Sequence, residues 1–332
     1  MSYHRPMLLN MNGRTDLDLP ALRVMRTAMD CGDGGTPEQR NLLHLLAERI
    51  WRLPDFDIDS LEPISPMEVA QLFDDEVACR RVRHLLVLFE VLRHPPTVEQ
   101  VALIDGFALA LGGDEEGFQL IRGLVRNDTE RAVEHLRATW NVSMNGVSER
   151  SIEARYDSLE EKIDDPDLAA QLRGLRDLPR GTLGREYIEF YLANHFDIPG
   201  EGVMHPGFFV QHDMSHLVAG LGPSAPGELA LSAFQIGMFE NEPHWMQFLV
   251  GLAAYELGVL GDDDFEAKAG VLEREGAIEF VVESFERGMH CTENYNDLSL
   301  LELADRPIAE LRERFGVRPP REPFPEFIDV AV

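Results

Sequence analysis

The sequence predicts an all-α protein whose amphipathic helices pack as bundles. Apolar residues recur with the three- and four-residue spacing of a helix along most of the chain, and the alternation typical of half-buried strands is almost absent. Hydrophobic residues make up 44% of the 332 residues, which is enough to bury a core. Each predicted helix has one apolar stripe, so neighbouring helices must cover it.

Residues 1–150 are expected to form an N-terminal helical bundle. Thr36 can cap a helix that begins at Pro37, because its hydroxyl accepts a backbone hydrogen bond and proline suits the first turn. Breakers at residues 94–96 and 112–113 separate later helices. The predicted helices of this half cover residues 22–29, 42–51, 79–92, 97–111, 115–125 and 130–140.

A polar stretch at residues 141–167 predicts a boundary near residue 150, so that residues 151–332 form a second domain. The Pro-rich tail from Arg318 cannot continue the last helix of that domain. The predicted helices of this half cover residues 183–194, 208–219, 227–239, 245–260, 265–289 and 308–315.

Composition excludes several classes of function. With 30 Lys and Arg against 59 Asp and Glu, the net charge of −29 repels phosphate backbones, so we expect no nucleic-acid partner. Cys31, Cys79 and Cys291 are too far apart for a CxxC site or a disulfide framework. The first residues lack the apolar core of a signal peptide, and the apolar stretch 245–260 is too short for a membrane span. We therefore expect a soluble, cytoplasmic protein.

The strongest motif lies on one predicted helix and the turn after it. Residues four apart on a helix share a face, so His212 and His216 should lie side by side, and Asp213 should reach the same side. The Gly/Pro-rich turn that follows would fold the next helix back and bring Glu228 to them. Two imidazoles and up to two carboxylates suit a divalent metal, with zinc first and iron, manganese or cobalt as alternatives.

Parts of this pattern also occur in proteins of other kinds. A lone histidine pair at this spacing is usually incidental, but the adjoining aspartate and the returning glutamate add two ligands. An HD-type phosphohydrolase shares the His212-Asp213 doublet but also needs an upstream histidine and a distant aspartate. A zincin protease needs a glutamate where Asp213 stands, because that residue activates water. A metal site outside these two enzyme classes is the main expectation.

The motif and its flanks resemble the Coq4 family of ubiquinone-biosynthesis proteins. The pattern His212-Asp-x-x-His216 followed by Glu228 resembles the family signature, and three flanking stretches resemble further family elements. The resemblance covers roughly residues 167–318, and the flanking stretches are residues 178–187, 227–234 and 288–317. It implies an all-helical domain that holds a divalent metal with His212, Asp213, His216 and Glu228.

The same resemblance implies an activity and partners. The substrate would be a prenylated benzenoid precursor of the quinone ring, which loses its C1 carboxylate and is hydroxylated there. Asp213 or Glu228, where not a ligand, would act as the catalytic proton carrier. The partners would be other quinone-biosynthesis proteins, with a homodimer and peripheral contact at the inner face of the membrane left open. The alternative is a non-catalytic prenyl-lipid-binding scaffold that organises a biosynthetic complex around a structural metal.

One departure from the family leaves the substrate open. Ubiquinone-pathway members usually carry a Tyr- and Arg-rich run before the motif, whereas residues 204–211 read Met-His-Pro-Gly-Phe-Phe-Val-Gln. Arg185 and Tyr187 would bind the polar ring or form contacts on a helix surface. Trp245, with its apolar neighbours Phe248, Leu249 and Leu252, would line a prenyl tunnel or pack in the core. His205 and His290 are candidate additional ligands.

The N-terminal half resembles the TerB-like helical fold at residues 29–38 and in the helix pair from Thr97. Acidic loops of that fold have been linked to metal binding, so Asp30 and Asp33 are weaker metal candidates, with a plain helix-connecting turn as the alternative. This half is expected to be an interaction or sensing module.

Overall fold

The computed structural model describes residues 15–32, 34–113, 116–126, 146–156, 161–259 and 269–321, and it confirms the all-α class. Over these residues the strands are β1 (Ile163–Asp164) and β2 (Glu201–Val203), which pair antiparallel with Ile163 opposite Val203. No described helix is both long enough and apolar enough to cross a membrane.

The first set of helices agrees with the predicted pattern in part, because the helix Pro66–Leu72 was not predicted, nor were the short helices Arg150–Glu153 and Pro166–Gly174 of the second set. Thr36 and Gln39 form a capping box with Pro37 in the first turn, as the sequence predicts. A π-helical turn, Leu46–Ile50, continues that helix. The predicted helix 130–140 and Asp33 lie outside the described residues. The helices are α1 (Asp18–Asp30), α2 (Pro37–Leu45), α3 (Pro66–Leu72), α4 (Glu76–Val91), α5 (Val98–Ala110) and α6 (Glu116–Val125).

The second set contains the helices of residues 150–315. The predicted spans 183–194 and 308–315 match the structure to the residue. Short 3-10 turns link other elements at Thr15–Leu17, Ile58–Ser60, Leu175–Asp177, Tyr295–Asp297 and Leu301–Leu303. The helices are α7 (Arg150–Glu153), α8 (Pro166–Gly174), α9 (Leu183–Asn194), α10 (Pro206–Ala219), α11 (Ala225–Met238), α12 (Glu242–Tyr255), α13 (Ala277–Met289) and α14 (Ile308–Phe315).

Two predicted helices are too long. The span 245–260 ends at Tyr255, and the described part of the span 265–289 is helical only from Ala277. Glycines at positive φ explain both limits, because a right-handed helix requires negative φ. Their φ values are 66° at Gly258, 67° at Gly270 and 80° at Gly276.

The two sets of helices share one apolar core, which extends from α1 to α14. Polar contacts also join them: the Asn41 amide donates to Glu279 at 2.9 Å, and Arg52 pairs with Glu286 at 2.8 Å. The domain boundary near residue 150 stays a prediction.

Helices α11 and α13 touch backbone to backbone at a pair of glycines. A Cβ atom at Gly288 would lie 2.1 Å from the carbonyl oxygen of Phe234, and one at Gly237 would lie 2.2 Å from that of Phe285. Any larger residue must push the helices apart, so the glycines set the interhelical distance. Because α11 also carries Glu228, this contact fixes the helix that delivers the carboxylate.

We expect Gly288→Ala to lower the free energy of unfolding by about 1–3 kcal/mol, because the added methyl overlaps fixed backbone atoms rather than a movable side chain. Thermal unfolding followed by circular dichroism would show a lower Tm. Gly174→Ala is the matched control: it lies at the end of α8 with no described atom within 4 Å of the added Cβ. That substitution should be neutral or stabilising by about 0.4–1 kcal/mol. Equal Tm values for the two variants would contradict the packing argument.

Candidate metal centre

Helix α10 presents two imidazoles on one side. The helix begins at Pro206 and stops at Gly220, whose φ of 69° provides the left-handed C-terminal cap. His212 and His216, one turn apart, point their Nε2 atoms at each other across 3.2 Å. The predicted shared face is therefore present, and it is buried: His216 is 0% exposed.

The turn after α10 delivers the carboxylate. Ser224 caps α11 by accepting a hydrogen bond from Gly227, and a Cβ at Gly227 would lie 2.0 Å from the Gly222 carbonyl oxygen. This tight turn places Glu228 in the first helical turn, at the positive end of the helix dipole. Its Oε2 lies 3.0 Å from Nε2 of His212 and its Oε1 lies 3.1 Å from Nε2 of His216.

These three side chains fit a divalent ion. For a tetrahedral ion with bonds of about 2.0–2.1 Å, neighbouring donor atoms lie about 3.3 Å apart. The separations of 3.0–3.2 Å between the two Nε2 atoms and the Glu228 oxygens are close to that value. Two imidazoles and one carboxylate also form the ligand set of zinc and non-haem iron sites that keep an open position.

The outer nitrogens of both rings have polar partners, and that of His216 is engaged in the way that metal-binding histidines require. Nδ1 of His216 lies 3.1 Å from the Leu221 carbonyl oxygen, to which it donates, so Nε2 carries the free lone pair. Nδ1 of His212 lies 3.0 Å from the Gln247 side-chain nitrogen. Oε1 of Gln247 is buried with no hydrogen-bond partner among the described residues. A 180° rotation of the Gln247 side-chain amide would exchange its oxygen and nitrogen. Nδ1–H of His212 would then donate a hydrogen bond to Oε1 of Gln247, and Nε2 of His212 would carry the free lone pair.

Asp213 lies behind the ligands rather than among them. Its buried carboxylate accepts a hydrogen bond from the hydroxyl of Tyr191 on α9, and Tyr191 packs against Tyr187 with ring centroids 4.7 Å apart. The converging ligand atoms come from His212, His216 and Glu228 without it. Burial raises the pKa of Asp213, and the neighbouring histidines only partly offset that rise. Of the four ligands implied by the resemblance, the structure brings three together.

Charge within the cluster is strongly coupled. Burial alone would raise the pKa of Glu228, but the charges of His216 and His212 hold it well below its usual range. Burial alone would lower the pKa of His216, yet the Glu228 carboxylate raises it above 6.5. Without an ion, the Glu228 carboxylate favours the protonated form of His216, and a metal must displace that proton to bind.

Aromatic rings enclose the imidazoles. Phe208 stacks on His212 with ring centroids 4.9 Å apart, and Phe190 stacks on His216 at 6.3 Å. The Glu228 side chain remains 21% exposed. The centre is thus shielded on its histidine side and reached from solvent past the carboxylate.

The other predicted substrate-binding residues have structural partners. Arg185 pairs with Glu189 at 2.8 Å, which is a contact of the helix-surface kind on α9. Tyr187 is fully buried behind Tyr191. The indole nitrogen of Trp245 donates to Glu240 at 3.3 Å. The indole ring packs edge-on against the imidazole ring of His84. Neither His205 nor His290 belongs to a group of converging metal-ligating side chains in the described residues. Asp30 forms an ion pair with Arg40 at 3.1 Å.

Neither of two cavities in the described part of the chain matches the predicted prenyl tunnel. Phe248 and Leu252 do line an apolar cavity, but its volume of about 30 Å³ holds a single water-sized molecule. Its other walls come from α2, α4 and α13, and neither Trp245 nor Leu249 contributes. A surface groove of about 480 Å³ lies between α5 and α6, again without a residue of the metal centre. Trp245 and its neighbours pack as core.

Sequence reasoning missed Tyr191 and Gln247, whose partners lie 22 and 35 residues away. For Tyr191 a signal existed, because it follows Tyr187 by one helical turn on a predicted helix. For Gln247 the signal was a polar residue inside the apolar stretch 245–260.

No family model matches the chain, and no curated protein matches it. Among solved structures, the chain is similar to a candidate ubiquinone biosynthesis protein from Nostoc punctiforme, with 18% sequence identity and a TM-score of 0.34. That match covers 71% of this chain and 98% of the other. At this identity and TM-score, the likeness establishes neither a shared family nor a shared function.

The geometry predicts which substitutions remove the ion from this centre. His212→Ala with His216→Ala, or Glu228→Gln alone, should weaken zinc binding here at least tenfold, because each removes donor atoms that face the ion. Asp213→Asn should retain the ion, because Asp213 faces Tyr191. Isothermal titration calorimetry and elemental analysis of the full-length variants measure both effects, with exposed His44→Ala as the control. If the Asp213→Asn variant loses this ion, Asp213 is a fourth ligand and the three-ligand assignment is wrong.

Metal binding should release protons at pH values below the raised pKa of His216. The carboxylate holds a proton on His216 up to a pH above 6.5, so zinc affinity should fall as pH falls through that range. Calorimetry in buffers of different ionisation enthalpy counts the released protons. A proton count near zero at pH 6 would contradict the ion pair.

Proposed function

We propose that this protein is a metal-dependent enzyme of ubiquinone biosynthesis, as the resemblance of its motif to the Coq4 family implies. The observation that supports catalysis is the three-ligand centre, with Asp213 turned away toward Tyr191. Structural zinc sites are closed by four protein ligands, whereas catalytic sites keep a position for water or substrate. Three converging side chains with a partly exposed carboxylate match the catalytic type.

The proposed substrate is a prenylated benzenoid ring that carries a carboxylate, and the proposed reaction is replacement of that carboxylate at C1 by a hydroxyl. This is a two-electron oxidation: the carboxylate leaves as CO₂, water supplies the hydroxyl oxygen, and O₂ accepts the two electrons and becomes hydrogen peroxide. When bound, the metal would act as a Lewis acid for the carboxylate or a ring oxygen. His212, His216 and Glu228 would hold it, and their stacked aromatic neighbours would keep water from the histidine side.

Asp213 and Tyr191 would handle the proton. The two groups share a hydrogen bond directly behind the ligands, and burial raises the pKa of both. A buried carboxyl with a raised pKa keeps its proton to a higher pH than a free carboxyl does, and it is suited to pass that proton to a group that gains negative charge. Asp213 directly follows the proposed ligand His212 in the helix.

A non-catalytic prenyl-lipid scaffold remains the second candidate, and the packing around Trp245 bears on both functions. The helix around Trp245, expected to wall an elongated apolar cavity, is packed, and the cavity nearby is too small for a prenyl tail. That cavity could not hold a prenyl tail in either function.

The proposal is tested with full-length protein loaded with zinc or, under reducing conditions, with iron(II). Incubated with a prenylated hydroxybenzoate and O₂, the loaded protein should release CO₂ and form the hydroxylated ring, followed by mass spectrometry. Asp213→Asn should keep its metal and lose about 10²–10⁴-fold in turnover. The Tyr191→Phe variant should lose less turnover than Asp213→Asn, because it removes only the hydroxyl that donates a hydrogen bond to Asp213.

Binding of the lipid without any product, in protein shown to contain the metal, would favour the scaffold. Turnover that is unchanged in the His212→Ala, His216→Ala double variant would place the chemistry elsewhere in the chain.

A further inference from the structure

A second group of metal-ligating side chains lies where the two sets of helices meet. His94 follows α4, Glu256 directly follows α12, and Glu273 lies in the turn that precedes α13. One ligand atom from each of these residues lies within 4.8 Å of the other two. None of them was singled out as a ligand from the sequence, because they are spread over the chain.

Glu256 is a buried carboxylate with one oxygen unsatisfied. The residue is 1% exposed, and its Oε2 accepts a hydrogen bond from the Leu272 backbone nitrogen at 2.7 Å. Its Oε1 is fully buried and has no hydrogen-bond partner among the described residues. Nδ1 of His94 lies 3.9 Å from this oxygen, which is too far for a hydrogen bond. A buried acceptor left open in this way costs free energy, so it marks a place for a cation or a proton.

A backbone carbonyl fixes the histidine ring beside Glu256. Nδ1 of His94 lies 2.9 Å from the carbonyl oxygen of Val91, to which it donates a hydrogen bond. The same nitrogen lies 3.9 Å from Oε1 of Glu256, so a cation bound there through Nδ1 would displace this hydrogen bond.

Backbone contacts bring Glu273 to the same place. The Gly270 nitrogen donates to the Glu256 carbonyl oxygen at 3.0 Å, and the Glu273 nitrogen donates to the Gly270 carbonyl oxygen at 3.2 Å. Gly270, at a φ of 67°, lies directly against the Glu273 carboxylate, where a Cβ would come within 3.0 Å of it. The loop is therefore anchored to the end of α12, and its exposed glutamate leaves the cluster open to solvent.

Negative charge exceeds positive charge at this cluster. Burial raises the pKa of Glu256, His94 opposes that rise, and the carboxylates of Glu273 and Glu38 add to it. A single imidazolium would balance one carboxylate only. A divalent cation would balance two and would satisfy the open oxygen at the same time.

We propose that His94, Glu256 and Glu273 bind a second divalent cation, of the zinc class because an imidazole is among the ligands. This ion links the segment after α4 to the end of α12 and the turn before α13, and so fastens the first set of helices to the second. The site is independent of the His212 centre and of the proposed enzymatic function.

The test uses full-length protein in the His212→Ala, His216→Ala background, which removes the first centre. In this background zinc should still bind with about one equivalent and should raise the Tm. Adding Glu273→Gln or His94→Gln should lower the affinity at least tenfold and abolish the zinc-dependent rise in Tm. Both side chains are at least partly exposed, so the fold should persist, and the Tm without zinc verifies that.

Glu275→Gln is the matched control, because Glu275 is exposed and lies two residues from Glu273. It should bind zinc like the background protein. The proposal is overturned if the background protein binds no zinc, since the cluster is then a histidine–glutamate pair that lacks an ion. It is also overturned if Glu273→Gln and Glu275→Gln behave alike. A separate comparison tests the His212 centre. If wild-type protein and the His212→Ala, His216→Ala variant contain equal zinc, the His212 centre does not bind zinc.

Discussion

The carboxylate of Glu228 between two imidazoles is the contact that the surrounding structure is built to hold. Removing charged groups from water costs free energy, which is recovered only when partners stand at hydrogen-bonding distance. The separations of 3.0 and 3.1 Å to His212 and His216 meet that condition. These distances depend on the relative position of α10 and α11, which are joined by a turn. A small shift of either helix would therefore leave a charged side chain without its partner. A bound ion would place the same demand on the same atoms.

Distant parts of the chain fix those two helices. Arg312 donates to the carbonyl oxygens of Val218 and Leu217 at 3.0 and 2.8 Å, and Arg287 donates to that of Ala219. These are the last carbonyls of α10, where the helix dipole favours positive charge. Burial lowers the pKa of Arg287 only to about 10, so it stays charged at neutral pH. The glycine contact between α11 and α13 positions the other helix, and residues after position 280 therefore hold the histidines in register.

Local sequence patterns correctly predicted features that depend on a single helix. They did not predict the contacts that a side chain makes with residues far away in the sequence. The four-residue spacing was sufficient to predict that His212 and His216 share a face, and the Gly/Pro-rich turn to predict the return of Glu228. Asp213 turns to Tyr191, because side chains one residue apart on a helix project about 100° from each other and each takes the partner it meets. The helix predicted from residue 265 is interrupted by glycines whose positive φ no periodicity reveals. His94, Glu256 and Glu273 share no local pattern at all.

Helix α12 is the element common to both clusters. Its Gln247 contacts the ring of His212, and Glu256, nine residues later, carries the open oxygen of the second cluster. At 1.5 Å per residue these positions lie about 13.5 Å apart along one axis, too far for direct contact between them. A constraint on the end of the helix nevertheless limits how far the whole helix slides or rotates, and Gln247 moves with it. The orientation of the His212 ring, and hence the aim of its free lone pair, therefore depends on how firmly the far end of α12 is held.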